Sequence, residues 1–202
     1  MKKVWLYPLF GVLIIAAGVA AYTGGRLVRE TRNPSFEGLR GTAFQIPPSV
    51  ADVTLTGVNG ETKLGDLKGN LTLVFFGFTK CPDICPLTLR RIAESYEAIG
   101  QPQNVKVVMI SVDPERDTPD IAQSYAAAFN PSFIGLSGTN TQVAEAVRTF
   151  YVAARELPDG LFIHTDAVII MDSQSRLRYV YSQDALRYLE QDLMTLLAQK
   201  DF

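Results

Sequence analysis

An unbroken run of uncharged, mostly apolar residues at positions 71–78 is the feature that most constrains the fold of this chain. The run has the length of a strand, and apolar residues at successive positions predict a strand that is buried on both faces. Apolar residues at helical spacing follow at 89–99, and a second buried strand is predicted at 105–112. A strand, a helix and a strand in this order predict the centre of an α/β domain.

The rest of the chain continues this alternation and ends in a hairpin and a helix. Asn59-Gly60 predicts a tight hairpin turn ahead of the central strand. The order predicts a thioredoxin-like fold, with a central mixed sheet flanked by helices. The remaining predicted elements are helices at 121–129, 143–151 and 186–198 and strands at 133–136, 167–171 and 177–181.

An apolar run at residues 4–22, preceded by two lysines, marks the N-terminus. As a helix it would be about 28 Å long at about 1.5 Å per residue, close to the roughly 30 Å hydrocarbon core of a bilayer. We therefore predict a membrane anchor at 1–22, with a cleaved signal peptide as the alternative because Gly18-Val19-Ala20 offers small residues. We predict a single pass through the inner or cytoplasmic membrane. The lysines orient the segment, with the C-terminal domain on the periplasmic or extracytoplasmic side.

Composition divides the remainder into a tether and one domain. Residues 23–49 are rich in Gly, Arg and Pro without a sustained apolar period, which is typical of a tether. Residues 50–202 then form a single domain with enough chain for a sizeable core. The formal net charge is −2 and no basic run is present, so nucleic acid is not a predicted partner.

Both cysteines of the chain, Cys81 and Cys85, directly follow the first buried strand. Pro86 restricts the residue before it to extended conformations, so we predict that the helix begins at Pro86. Backbone amides and the helix dipole at this position favour thiolates, which primes cysteines for metal binding and for disulfide exchange. A disulfide closing so short a loop would restrain the unfolded chain little, so a purely stabilising bridge is the weaker explanation.

His164, the only histidine, lies just before the predicted strand at 167–171. A lone histidine is usually solvated or hydrogen-bonded, but two sulfurs and an imidazole that converge would suit Cu(I). The other ring nitrogen would then need an acceptor, for which Asp166 is a candidate.

Asp113 follows the second buried strand at the same edge of the sheet. It either accepts a hydrogen bond beside the metal or shapes the turn in which Thr118 caps the next helix.

Two motifs and this histidine together resemble the Sco/SenC family: TKCPDICP at 79–86, ISVDPERDTP at 110–119, and a histidine before a hairpin. The resemblance covers roughly residues 44–200. It implies a membrane-anchored, thioredoxin-fold copper protein that helps to assemble the dinuclear copper A site of cytochrome c oxidase subunit II. Carried onto this sequence, Cys81, Cys85 and His164 are the copper ligands, and Asp113 matches an aspartate implicated near the site. Residues 164–167 read His-Thr-Asp-Ala, where many relatives read Asp-His-Ser. The resemblance therefore matches His164 as a ligand but gives no support for the role of Asp166.

Two functions from different classes fit this pattern. The first is a metallochaperone, not an enzyme, that holds one copper per chain, as Cu(I) or Cu(II), and passes it to subunit II by ligand exchange. The second is a thiol–disulfide oxidoreductase that uses Cys81 and Cys85 to keep the target cysteines reduced. A peroxidase fits less well, because Thr79 lies only two residues before Cys81. Copper binding requires the reduced dithiol, so we expect a thioredoxin-like reductase as a partner and another copper chaperone as a donor.

Overall fold

The described part of the chain, residues 38–67 and 71–199 of a computed structural model, contains ten strands and four α-helices. The strands are β1 (Thr42–Ala43), β2 (Thr54–Gly57), β3 (Gly60–Lys63), β4 (Leu71–Gly77), β5 (Val105–Ser111), β6 (Ile134–Leu136), β7 (Ala154–Glu156), β8 (Phe162–His164), β9 (Ala167–Met171) and β10 (Leu177–Ser182). The helices are α1 (Ile84–Ala98), α2 (Pro119–Ala127), α3 (Asn140–Thr149) and α4 (Leu189–Leu197), with short 3₁₀ helices at Leu64–Leu67 and Leu186–Tyr188.

Six of the strands form one mixed sheet in the order β1-β10-β9-β4-β5-β6. β4, β5 and β6 run parallel, joined through α1 and α2, whereas β9 pairs antiparallel with β4 and β10 antiparallel with β9. Every residue of β4 is buried, as its continuous apolar sequence predicts for a strand covered on both faces. The predicted α/β fold with a central mixed sheet is confirmed.

The antiparallel pairing of β9 with β4 positions the functional site. Phe75 near the carboxyl end of β4 lies opposite Val168 near the amino end of β9. Residues that precede β9 therefore arrive at the edge of the sheet where β4 ends. The loop after β5 lies at the same edge, because β5 is parallel to β4.

The start of α1 differs from the prediction. The helix begins at Ile84, so Cys85 lies in its first turn instead of in an extended loop, and the predicted start at Pro86 is wrong. Backbone N–H groups in the first turn have no intrahelical acceptor, so proline is tolerated there without the loss of a hydrogen bond. The hairpin turn before β3 also shifts by one residue, to Val58-Asn59, and Gly60 takes the positive φ of 99°.

Two strands of a second hairpin, β7 and β8, were not predicted. They pair only with each other and lie outside the six-stranded sheet, and His164 is the last residue of β8. Three-residue strands are too short to give a periodic pattern in the sequence. The turn residues Pro158-Asp159-Gly160 were the available signal.

The predicted anchor at 4–22 lies outside the described residues. Within residues 38–67 and 71–199, no helix has the length and apolar character needed to cross a bilayer. β1 lies inside the predicted tether and pairs with β10, so the six-stranded sheet includes residues that precede position 50.

Candidate metal centre

The cysteine side of the site is built on the end of β4. The backbone N–H of Cys81 donates to the carbonyl of Phe78 at 3.2 Å, which closes the turn after the strand. Cys85, fully buried in the first turn of α1, donates its backbone N–H to the sulfur of Cys81 at 3.4 Å. Cys81 is half-buried, so the two sulfurs differ in their access to solvent.

Gly77 makes room for the buried cysteine. A Cβ at this position would lie 3.2 Å from the sulfur of Cys85 and 2.7 Å from Cε1 of Phe75. The second distance is shorter than any normal contact, so a larger residue would force the core or the cysteine to move. A glycine at the end of an otherwise apolar strand is the sequence signal for such a close approach, but this role of Gly77 was not predicted.

His164 completes the site from the β7–β8 hairpin. Its Nε2 lies 3.3 Å from the sulfur of Cys85, and its Nδ1 donates to the carbonyl of Thr165 at 3.2 Å. A neutral ring protonated on Nδ1 leaves the Nε2 lone pair free for a metal. The rings of Phe75 and Phe78 meet the imidazole edge-on, with centroid distances of 6.0 and 6.1 Å.

Asp166 does not act as the acceptor for His164. Its carboxylate instead accepts hydrogen bonds from Thr88 at 3.2 Å and from Gln183 at 2.7 Å. The role predicted for it from the sequence is therefore wrong, because the neighbouring backbone carbonyl already occupies Nδ1.

The sulfurs of Cys81 and Cys85 and a ring nitrogen of His164 all lie within 4.8 Å of one another. Metal–sulfur and metal–nitrogen bonds of about 2.3 and 2.0 Å place ligands on opposite sides of an ion about 4.3 Å apart. The 3.3 Å between the Cys85 sulfur and Nε2 of His164 lies below this value and the 4.8 Å limit of the group lies just above it, so small shifts of the side chains would seat an ion. Two sulfurs and one imidazole nitrogen form a soft ligand set, which fits Cu(I) in preference to hard cations.

Burial dominates the electrostatics of this site. It raises the pKa of Cys85 well above its ordinary value, and the hydrogen bond with Cys81 adds to the shift. The expectation of a thiolate at Cys85 is therefore wrong for the metal-free protein, because desolvation outweighs the helix dipole. Burial likewise raises the pKa of Tyr125 to about 12, with smaller contributions from Cys85 and Cys81.

Asp113 and Asp117, in the loop after β5, have different partners. The buried carboxylate of Asp113 accepts a hydrogen bond from Nε of Arg116. Asp113 does not belong to the group of candidate metal ligands formed by the two cysteines and the histidine. Asp117 accepts from the backbone N–H of Thr79 at 2.9 Å and from its hydroxyl at 2.5 Å. Ser111 donates to the same carboxylate at 2.6 Å. Asp117, which was not predicted from the sequence to take part in the site, is thus the aspartate that holds the cysteine loop.

The family model described as SCO1/SenC matches residues 48–195. The chain belongs to this family. An SCO2-like protein from Rickettsia felis is 36% identical over 139 residues, which are 64% of this chain and 68% of that relative. The resemblance seen in the motifs is therefore confirmed.

Solved structures of Sco proteins share the fold of this SCO1/SenC chain. Apo Sco1 from Thermus thermophilus is 38% identical, with a TM-score of 0.69, and the match covers 80% of this chain and 99% of that one. ScoI from Bradyrhizobium japonicum, solved with copper bound, is 34% identical, with a TM-score of 0.64 and coverage of 77% and 98%.

Proposed function

We propose that this protein is a copper metallochaperone that delivers copper to the dinuclear copper A site of cytochrome c oxidase subunit II. The convergence of Cys81, Cys85 and His164 is the observation that carries the proposal. The copper-bound B. japonicum relative supports it, because that protein shares the fold and a third of its sequence. Copper is here the cargo, with one ion per chain held as Cu(I) or Cu(II).

The unequal exposure of the ligands suits transfer. Cys85 is buried at the end of the core, whereas Cys81 and His164 are half-exposed at the edge of the sheet. An incoming sulfur from the acceptor approaches a three-coordinate Cu(I) on this side and adds as a further ligand. His164 or Cys81 then dissociates, so copper changes hands without being released into water.

Loading requires both sulfurs in the reduced, deprotonated state. The raised pKa of Cys85 keeps it a thiol at neutral pH, so copper binding must expel its proton. We propose a thioredoxin-like reductase that supplies the dithiol and another copper chaperone as donor. The anchor at residues 4–22 would hold the domain on the outer side of the inner membrane, beside subunit II.

A thiol–disulfide oxidoreductase is the second candidate, favoured by the contact between the Cys85 amide and the Cys81 sulfur. The half-exposed Cys81 would attack a disulfide of the target, and Cys85 would resolve the mixed disulfide. The target gains two electrons and two protons, and Cys81 and Cys85 become a disulfide. This reaction makes no use of His164.

An anaerobic Cu(I) competition titration of the reduced protein separates the two candidates. We expect one tightly bound Cu(I) per chain, roughly tenfold or more weaker binding for His164→Ala, and no tight site for Cys81→Ala. Arg155→Ala, an exposed change in the same hairpin, is the matched control. Absence of a tight site, or equal binding by the disulfide form, would reject the chaperone. Disulfide reductase activity that survives in His164→Ala would then favour the second candidate.

A further inference from the structure

Arg116 joins two separate parts of the site with one guanidinium group. Its Nε donates to the carboxylate of Asp113, and its Nη2 donates to the carbonyl of Gly160. Nη2 also lies 3.5 Å from Glu156, and the guanidinium carbon lies 5.7 Å from the centroid of the Phe162 ring. Neither copper ligation nor disulfide exchange uses this residue.

Three of these four partners belong to the β7–β8 hairpin that ends in His164. Glu156 closes β7, Gly160 lies in the turn and Phe162 opens β8. A two-stranded hairpin is marginally stable by itself in water, and this one has no strand partner in the main sheet. At its open end, the Thr165 backbone N–H donates to the carbonyl of Ala153 at 2.8 Å. Arg116 fixes the opposite end, at the turn.

We propose that Arg116 is a positioning residue that holds His164 against the two cysteines by fixing the turn of the β7–β8 hairpin to the loop after β5. The role of Arg116 in affinity rests on the proposed copper binding, whereas its hold on the hairpin is a property of the metal-free protein.

The contacts suit an arginine and a glycine specifically. The Asp113 side chain is only 3% exposed, and its backbone N–H donates to Ser111, so the carboxylate is a fixed anchor. Gly160 has a φ of +79°, and a Cβ there would lie 2.7 Å from Nη1 of Arg116. A planar guanidinium can serve the carboxylate and the carbonyl with different nitrogens, whereas the single ammonium of lysine is a point charge.

The same loop also holds the cysteine side. Asp117, next to Arg116, binds Thr79, which lies two residues before Cys81. The backbone N–H of Asp117 donates to the carbonyl of Asp113 at 2.8 Å, so the two anchors share one turn. One loop therefore sets the distance between the sulfurs and the imidazole.

Hydrogen exchange of the reduced, metal-free protein tests the hold on the hairpin. In Arg116→Gln we expect amides of residues 154–164 to exchange about tenfold faster than in wild type, with β4 and β5 unchanged. Gly160→Ala should act in the same direction from the other end of the contact, and Arg155→Gln is the matched control. Unchanged protection of the hairpin, or equal loss in β4 and β5, would overturn the proposal.

A double-mutant cycle tests whether Arg116 affects Cu(I) affinity through the position of His164. Arg116→Gln should weaken Cu(I) binding about tenfold in the wild-type background but not in His164→Ala, and Arg116→Lys should recover only part of the loss. Equal weakening in both backgrounds would overturn the role in positioning His164. If wild type binds no Cu(I), the proposed function fails, and the exchange comparison still decides whether Arg116 holds the hairpin.

Discussion

The two halves of the metal centre are held by different forces. Cys85 follows β4, whose residues are all buried, and its sulfur touches the packed edge of the core. His164 ends a hairpin whose strands are mostly half-buried or exposed and whose contacts include an ion pair and a carbonyl. Core packing around Cys85 thus dominates on the sulfur side, with Asp117 holding the Cys81 loop. On the imidazole side, the rings of Phe75 and Phe78 contact His164, but the hairpin that carries it is tied down at its turn by polar contacts. The comparison teaches that the two sides of the site differ in how much of the core supports them, so changes in the hairpin should disturb the imidazole more than the fold.

The largest effect on stability should come from the cysteine side. Gly77→Ala places a methyl group against Phe75 and Cys85, and overpacking of this kind costs about 1–3 kcal/mol of unfolding free energy. Denaturant unfolding of the reduced protein measures the loss, and Cu(I) affinity should fall with it. Gly57→Ala, at the end of β2, is the control and should leave copper affinity unchanged. A Gly77→Ala protein with wild-type stability and affinity would show that the edge of the core yields freely.

A smaller effect should appear at alkaline pH. Burial raises the pKa of Cys85 above 9.0 in the folded state, so only the unfolded state loses this proton as the pH passes that value. The stability of the reduced, metal-free protein is therefore complete below pH 9 and falls above it, by at most about 1.4 kcal/mol per pH unit. Unfolding of wild type and Cys85→Ala between pH 8 and 10 measures the slopes. Parallel curves would show that Cys85 is not desolvated.

The smallest effect should come from the outer face of the hairpin. Ile163 is 55% exposed, so Ile163→Ser should change the unfolding free energy by less than about 0.5 kcal/mol. Copper affinity should stay within about twofold of wild type, because the change leaves His164 and the Arg116 contacts in place. Thermal unfolding and Cu(I) titration check both values. A loss as large as that of Gly77→Ala would place the hairpin in the core and remove the contrast between the two halves.

Prediction from the sequence succeeded where the signal was local and strong. The apolar run of β4 and the alternation that follows it predicted the central sheet, and Cys81 and Cys85 stood out beside it. Prediction failed where a residue acts through distant contacts. Asp117 carries no local sign of its partner, because a carboxylate in a turn has many common uses. The glycine at the end of β4 indicates a close approach, but its sequence position does not say that Cys85 and Phe75 are the groups that approach it.

The sequence by itself determined the order of the four α-helices and of the main-sheet strands from β4 onward, the position of the cysteine pair after a buried strand, and the family. Only the tertiary structure decided that His164, 79 residues from Cys85, reaches its sulfur. The physical reason is the sheet: β9 pairs antiparallel with β4, which brings the segment before β9 to the carboxyl end of β4. Tertiary burial likewise decided that the pKa of Cys85 is raised, although its place in the first turn of a helix favours a thiolate.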